Sequence, residues 1–171
     1  MQRLAKEFLK IALWRSTPAH LPASLFLLTL TAVAAGLMEV LGAVLTPGSL
    51  QELLVHIALE IVLPLAFTWA VLAASHRGAR FLQTATALFG VDVLAALVLY
   101  PLGAVYHSFS ADRVASIPIG FLLCVAFVWY LLAAAHIWRS ALDTGLLLGG
   151  IISVGFFILS LAIEQQLLPP S

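Results

Sequence analysis

The sequence holds little charge and almost no cysteine. Only 9% of its 171 residues are charged, and Cys124 is the single cysteine. A lone cysteine cannot form a disulfide within the chain or build a thiolate zinc cluster. Eight Lys and Arg balance eight Asp and Glu, so the basic surface that nucleic-acid-binding proteins need is lacking. We therefore expect no nucleic-acid partner.

Apolar residues take the place of charge. They make up 63% of the chain, against roughly 45–50% in soluble domains. A membrane span needs about 20 mostly apolar residues. Five stretches meet this need, at about residues 24–45, 53–75, 81–106, 116–137 and 142–167. The sequence predicts an all-α integral membrane protein with one domain, residues 1–171, whose five transmembrane helices are embedded in the lipid bilayer.

Residues 1–23 precede the first span and have an amphipathic pattern. Leu4, Phe8 and Ile11 share one helical face, while Lys6 and Lys10 lie opposite. This pattern predicts a helix in the membrane surface, followed by a turn at two prolines. The alternative is a secretory signal peptide cleaved after residue 34.

The basic residues predict an orientation, because cytoplasmic segments retain Lys and Arg. With the N-terminus inside, only Arg113 lies outside. The inner set is Arg3, Lys6, Lys10, Arg15, Arg77, Arg80 and Arg139. The N-terminus is therefore expected in the cytoplasm and the C-terminus outside. Four of these cations, Arg15, Arg77, Arg80 and Arg139, are expected to contact anionic lipid headgroups.

Asp92 lies eleven residues into the third span, roughly 16 Å along its axis. A carboxyl near the bilayer centre has two interpretations. It can relay a proton or cation. It can instead be a protonated acid that fixes packing through a hydrogen bond to a Thr, a Tyr or a backbone carbonyl of a neighbouring helix.

A second polar group is expected toward the outer face. Its members are His56, Glu60, Glu39 and His107. They form either a hydrogen-bonded cap or a divalent-metal site centred on His56, His107 and Glu60. Pairing His56 with His107, and His76 with His136, gives the bis-histidine pattern of a transmembrane cytochrome. No cofactor is the first expectation, and haem and a divalent metal are the alternatives.

Gly145, Gly149 and Ser153 lie at four-residue spacing in the fifth span. Small residues in this pattern let two helix backbones approach closely. The contact is expected within the chain, with a homodimer seam as the alternative. No nucleophile elbow or phosphate loop occurs, so the sequence offers no recognisable catalytic nucleophile. The chain is therefore not expected to be an enzyme.

The segments Trp14–Ser24 and Ala135–Asp143 resemble those of small bacterial inner-membrane proteins related to the Yip1 family. The Asp-Leu-Tyr-Gly-Pro type motif of the eukaryotic members is absent. The resemblance implies five spans in a bacterial inner membrane and a non-enzymatic scaffold, assembly or accessory factor with a membrane-protein partner. The alternatives are a small transporter or proton/cation relay through Asp92, and a haem-binding electron-transfer protein.

Overall fold

The structure, a computed structural model, describes residues 2–45, 49–109 and 112–167. Within these ranges the chain forms six α-helices and no strand. They are α1 (Gln2–Ala12), α2 (Leu25–Leu45), α3 (Leu50–Ala74), α4 (Phe81–Ser108), α5 (Arg113–Leu142) and α6 (Leu146–Leu167). The last five are long and apolar enough to cross a membrane. This confirms the all-α fold with five spans and a short N-terminal helix.

The end of α5 differs from the prediction. The sequence predicts that the fourth span ends near residue 137, whereas α5 continues to Leu142. Asp143 then takes a left-handed conformation with φ of 48°, and the N–H of Thr144 donates to the carbonyl of Arg139 at 3.1 Å. This is a Schellman ending. Polar side chains between 138 and 141 do not stop a helix, because termination needs such a backbone change.

Two short connections define one end of the bundle. Residues 75–80 join α3 to α4, and residues 143–145 join α5 to α6. Arg77 and Arg80 both form ion pairs with Asp143 there. We call this the arginine end. The opposite end holds the C-terminal turns of α2, α4 and α6 and the N-terminal turns of α3 and α5.

Buried side chains of the five long helices cluster near the arginine end. They fall within residues 27–36, 64–72, 84–95, 133–142 and 149–153. Among the described residues, none is buried within 37–63, 96–132 or 154–167. We call these two parts the closed half and the open half. The helices therefore pack tightly in one half and more loosely in the other.

The short helix α1 packs on the closed half. Its apolar face buries Phe8 and Ile11 in a cluster with Val91 of α4 and Ile137 of α5. A Cβ added at Gly90 would collide with the Phe8 ring, so the glycine provides the space that the ring occupies. The apolar face predicted to rest in lipid contacts protein in the folded chain.

Hydrogen bonds hold the end of α1 and the segment that follows it against α4 and α5. Trp129 Nε1 donates to the carbonyl of Ala12 at 3.1 Å. The ring Nε2 of His136 pairs with the carbonyl of Ser16 at 2.9 Å. Gln83 of α4 donates to the carbonyl of Leu21 at 2.8 Å. These contacts satisfy carbonyl groups that no helix would otherwise pair.

The small residues of α6 occupy two different environments. A Cβ at Gly149 would collide with the backbone carbonyl oxygen of Ala135 on α5, so the two helices touch there through their backbones. Ser153 is buried one turn later and donates to the carbonyl of Gly149 at 3.0 Å. Gly145 has open space around it. The close approach within the chain therefore involves Gly149 and Ser153, without Gly145.

Candidate functional site

A cavity of about 440 Å³ lies between helices α2 to α6. It begins beside Trp138 and Ser153 in the closed half and extends past Ser160 to Glu164 in the open half. Sites for small molecules typically enclose about 300–1,000 Å³. On the arginine side the cavity meets the tightly packed side chains of the closed half, so we expect access through the open half.

Four helices each bring one carboxyl group to the cavity wall. Glu39 comes from α2, Glu60 from α3, Asp92 from α4 and Glu164 from α6. Glu39 and Asp92 both lie near enough to Glu60 to interact with it electrostatically. The acids of four separate spans thus share one space.

Two tyrosines lie beside two of these carboxyls. The hydroxyl of Tyr100 on α4 donates to Glu39, which leaves the other carboxyl oxygen able to accept from a ligand or water. Tyr130 of α5 lines the cavity with Asp92 and lies close enough for its hydroxyl to interact with that carboxyl, so a tyrosine, one of the partners expected for this acid, is near it.

Basic side chains are missing from the cavity wall. Among the described residues that line it, none is lysine, arginine or histidine. A charged side chain at the centre of a membrane helix costs at least about 2.5–3.5 kcal/mol. Glu39, Glu60 and Asp92 can therefore carry negative charge here only when a proton or cation from outside compensates it, whereas Glu164 has a histidine, His56, at 3.8 Å.

Aromatic rings cover much of the remaining wall. Phe67 of α3 packs edge-on against Trp138, with 5.8 Å between the ring centroids. It also packs against Phe156 of α6, where the two rings are tilted and their centroids lie 4.9 Å apart. Phe157 and Tyr130 also line the cavity. Such rings offer their negative faces to a cation.

The wall of α3 carries two further polar groups. Pro64 lines the cavity within an unbroken helix. Because proline has no N–H, it cannot donate to the carbonyl of Glu60 one turn earlier. Thr68 follows one turn later in the wall, fully buried, and its hydroxyl oxygen has no hydrogen-bond partner.

A second cavity of about 260 Å³ adjoins the first toward the opposite end. Glu52 and His56 line it, and it shares Glu39, Leu99 and Tyr100 with the larger cavity. The Tyr100–Glu39 hydrogen bond therefore lies at the boundary between the two spaces.

The predicted group of two histidines and two acids is divided between these spaces. Glu39 and Glu60 line the main cavity, whereas His56 lines the second cavity, with Nδ1 at 3.8 Å from Oε1 of Glu164. His107 is exposed at the end of α4 and lines neither. In the described ranges, no three His, Cys, Asp or Glu side chains gather closely enough to hold a metal. The predicted metal set of His56, His107 and Glu60 is therefore wrong as a single site.

The inner histidines have different surroundings from each other. His76 is exposed in the turn after α3. His136 is buried, and its Nε2 already pairs with the carbonyl of Ser16. The contacts of His136 tie the N-terminal segment to α5, which gives this histidine a structural role.

The arginines predicted to contact lipid also divide into two groups. Arg77 and Arg80 pair with Asp143, and Arg80 also donates to the carbonyl of Ala141 at 2.9 Å. The hydrogen bond from Arg77, together with Arg80, holds the pKa of the Asp143 carboxyl below its ordinary value. Arg15 and Arg139 are exposed. Contact with headgroups stays a prediction for all four.

Sequence reasoning missed Glu164 and the two tyrosines as site residues. A signal was present, because Asp92, Ala96 and Tyr100 recur every four residues along α4 and all line the cavity. This spacing puts side chains on one helical face. A search for polar residues on the faces of facing helices, including the last turn of α6, would have found these residues.

Comparison of this chain with protein-family models, with curated proteins and with solved structures found no match.

Proposed function

We propose that this chain is a small transporter or proton/cation relay of a bacterial inner membrane, and that Asp92 is its central binding group. The single observation that carries the proposal is the shared cavity. Four carboxyls from four spans line it, and none of the described lining residues is basic. An acidic site in which Glu39, Glu60 and Asp92 have no basic residue in the described wall favours uptake of a proton or cation.

The orientation follows from the charges. Arg77, Arg80 and Arg139 lie at or near the arginine end, and the positive-inside rule assigns such an end to the cytoplasm. The N-terminus is then cytoplasmic and the C-terminus periplasmic. Under this orientation the open half faces the periplasm, and uptake into the cavity occurs from that side.

The proposed route has an order of groups. A cation or proton enters past Glu52 and His56, meets Glu39 at the boundary between the cavities, and reaches Glu60 and Asp92 beyond it. Release to the cytoplasm requires the closed half to open, since Leu72, Trp138 and Leu142 pack together there. Alternating access of this kind is the common mode of secondary transporters.

The test is proton flux into proteoliposomes that hold a pH-sensitive dye, driven by a potassium–valinomycin potential. We expect Asp92→Asn to lower the flux by at least about tenfold, because an amide cannot bind and release the proton. Asparagine has nearly the same shape as aspartate and keeps an oxygen that can accept a hydrogen bond, and the elution profile in mild detergent checks that the variant is folded. The matched control is Asp112→Asn, an exposed acid outside the cavity. Flux from the parent protein no greater than from empty liposomes, or equal flux with Asp92→Asn, contradicts the proposal.

A scaffold, assembly or accessory function stays a prediction from the resemblance, as does the membrane-protein partner it implies. No described contact favours it over the relay. Electron transfer through haem, which is inferred from the pairing of His56 with His107 and of His76 with His136, also stays a prediction.

A further inference from the structure

The main cavity has features that a proton alone does not need. Transfer of a proton requires a chain of hydrogen-bonding groups and little space. Here the volume is about 440 Å³, within the range that holds small organic molecules. The cavity can therefore hold a ligand much larger than a proton. The inference about this ligand rests on the proposed function only in taking the cavity as the binding site.

The carboxyls are spread along the walls. A bare inorganic cation binds where several oxygen ligands converge at about 2.0–2.6 Å. Among the described residues, no three acidic, histidine or cysteine side chains form such a group. Asp92 lies in the middle part of α4 and Glu164 lies in the last turn of α6, yet both line the cavity. The acids are therefore at different heights along the bundle. A compact ion contacts one of these groups at a time, whereas a larger ligand can contact several.

The remaining walls favour a ligand with apolar surface and diffuse charge. Phe67, Phe156 and Trp138 form a contiguous set of rings beside the acids. An ammonium or similar cation is attracted to the face of such a ring, most strongly where water is excluded. The buried Thr68 hydroxyl in the same wall has no hydrogen-bond partner, so a rotation of this side chain would give a ligand one donor.

We propose that the cavity binds an organic cation, a small molecule with an aromatic or aliphatic body and one positive charge, with Asp92 and Glu60 pairing its charge and Phe67 and Phe156 contacting its body.

The test measures binding of tritiated tetraphenylphosphonium to the purified full-length protein by equilibrium dialysis in mild detergent. The probe has a fixed charge, so its binding reports on the acids and rings without proton exchange. We expect saturable binding that Asp92→Asn weakens by about tenfold or more, since the ligand loses its central counter-charge in a low-dielectric space. Asp112→Asn, the same change outside the cavity, leaves binding unchanged.

Two further variants keep the test informative if Asp92→Asn fails to fold. Glu60→Gln is expected to weaken binding in the same direction. Phe67→Leu keeps apolar volume but removes the ring face, and it is expected to weaken binding by a smaller factor of roughly three to five. Non-saturable uptake equal to empty micelles, or equal binding by the parent and by Asp92→Asn and Glu60→Gln, overturns the inference.

The outcome is separable from that of the flux experiment. Saturable, Asp92-dependent binding without proton flux supports the organic-cation site and contradicts the relay. Proton flux without such binding supports the relay and contradicts the organic-cation site.

Discussion

The arginine end and the main cavity differ in how they treat polar groups. At the arginine end, Arg80 pairs with Asp143 and caps the end of α5, and nearby His136 pairs with a carbonyl. In the main cavity, which extends from the closed half into the open half, none of the described lining residues is a basic partner for Glu39, Glu60 or Asp92. Polar groups therefore stabilise the structure at the arginine end, whereas the carboxyls of the cavity are left available to a ligand. The stability of the protein and its proposed activity thus depend on different polar groups of the same helices.

The largest expected effect comes from breaking the closed half. In Gly149→Ala the new Cβ would collide with the carbonyl oxygen of Ala135, and backbone atoms cannot move aside without separating α5 from α6. We expect a loss of about 1–3 kcal/mol in the free energy of unfolding. Thermal unfolding in mild detergent measures it.

The control for this variant lies on the same helix in the open half. A Cβ at Gly155 meets no atom within 4 Å, so Gly155→Ala is expected to change stability by no more than about 0.5 kcal/mol. Equal destabilisation by the two substitutions would show that the halves do not differ in packing.

Water access to the cavity should differ along α6. With Cys124 replaced by serine, we expect Ser160→Cys to react with a water-soluble methanethiosulfonate at least roughly tenfold faster than Ser153→Cys. Reaction requires the thiolate, which forms only where water reaches the thiol, and Ser153 is buried whereas Ser160 is not. Labelling rates followed by mass spectrometry measure the ratio. Equal rates at the two positions would mean that the closed half is as accessible as the open half.

The smallest effect is expected at the arginine end. Asp143→Asn keeps a residue that tolerates the left-handed conformation but removes the charge that pairs with Arg77 and Arg80. Because the pair is exposed, we expect the Tm at pH 7 to fall by no more than about 2 °C.

This Tm difference should depend on pH in a defined direction. The pKa of the Asp143 carboxyl is lowered in the folded chain, so its stabilising contribution is present above the ordinary aspartate pKa of about 3.9. The contribution is lost as the pH falls through the lowered value. Melting curves of the parent and the variant should therefore converge below about pH 3–4. A difference that persists in acid would assign the effect to the turn geometry instead.

The sequence predicted the spans and the depth of Asp92, because apolar length and position within a helix follow from local composition. The convergence of Glu39, Glu60, Asp92 and Glu164 was not predictable in the same way. It depends on which helical faces turn toward each other, and this is set by close contacts such as Gly149 against Ala135. The docking of α1 was not predicted for a related reason. An apolar helical face has the same sequence pattern whether lipid or protein covers it.

The attachment of α1 has a consequence for how the protein is made. Ala12 and Ser16 leave the ribosome early, yet their partners Trp129 and His136 lie 117 and 120 residues later in the chain. At about 5–20 residues per second, the first helix waits on the order of ten seconds before its binding site exists. During synthesis its apolar face has only the membrane surface to rest on. The interfacial helix predicted from residues 1–23 is thus the expected form of the nascent chain, and α1 docks only after α5 has been made.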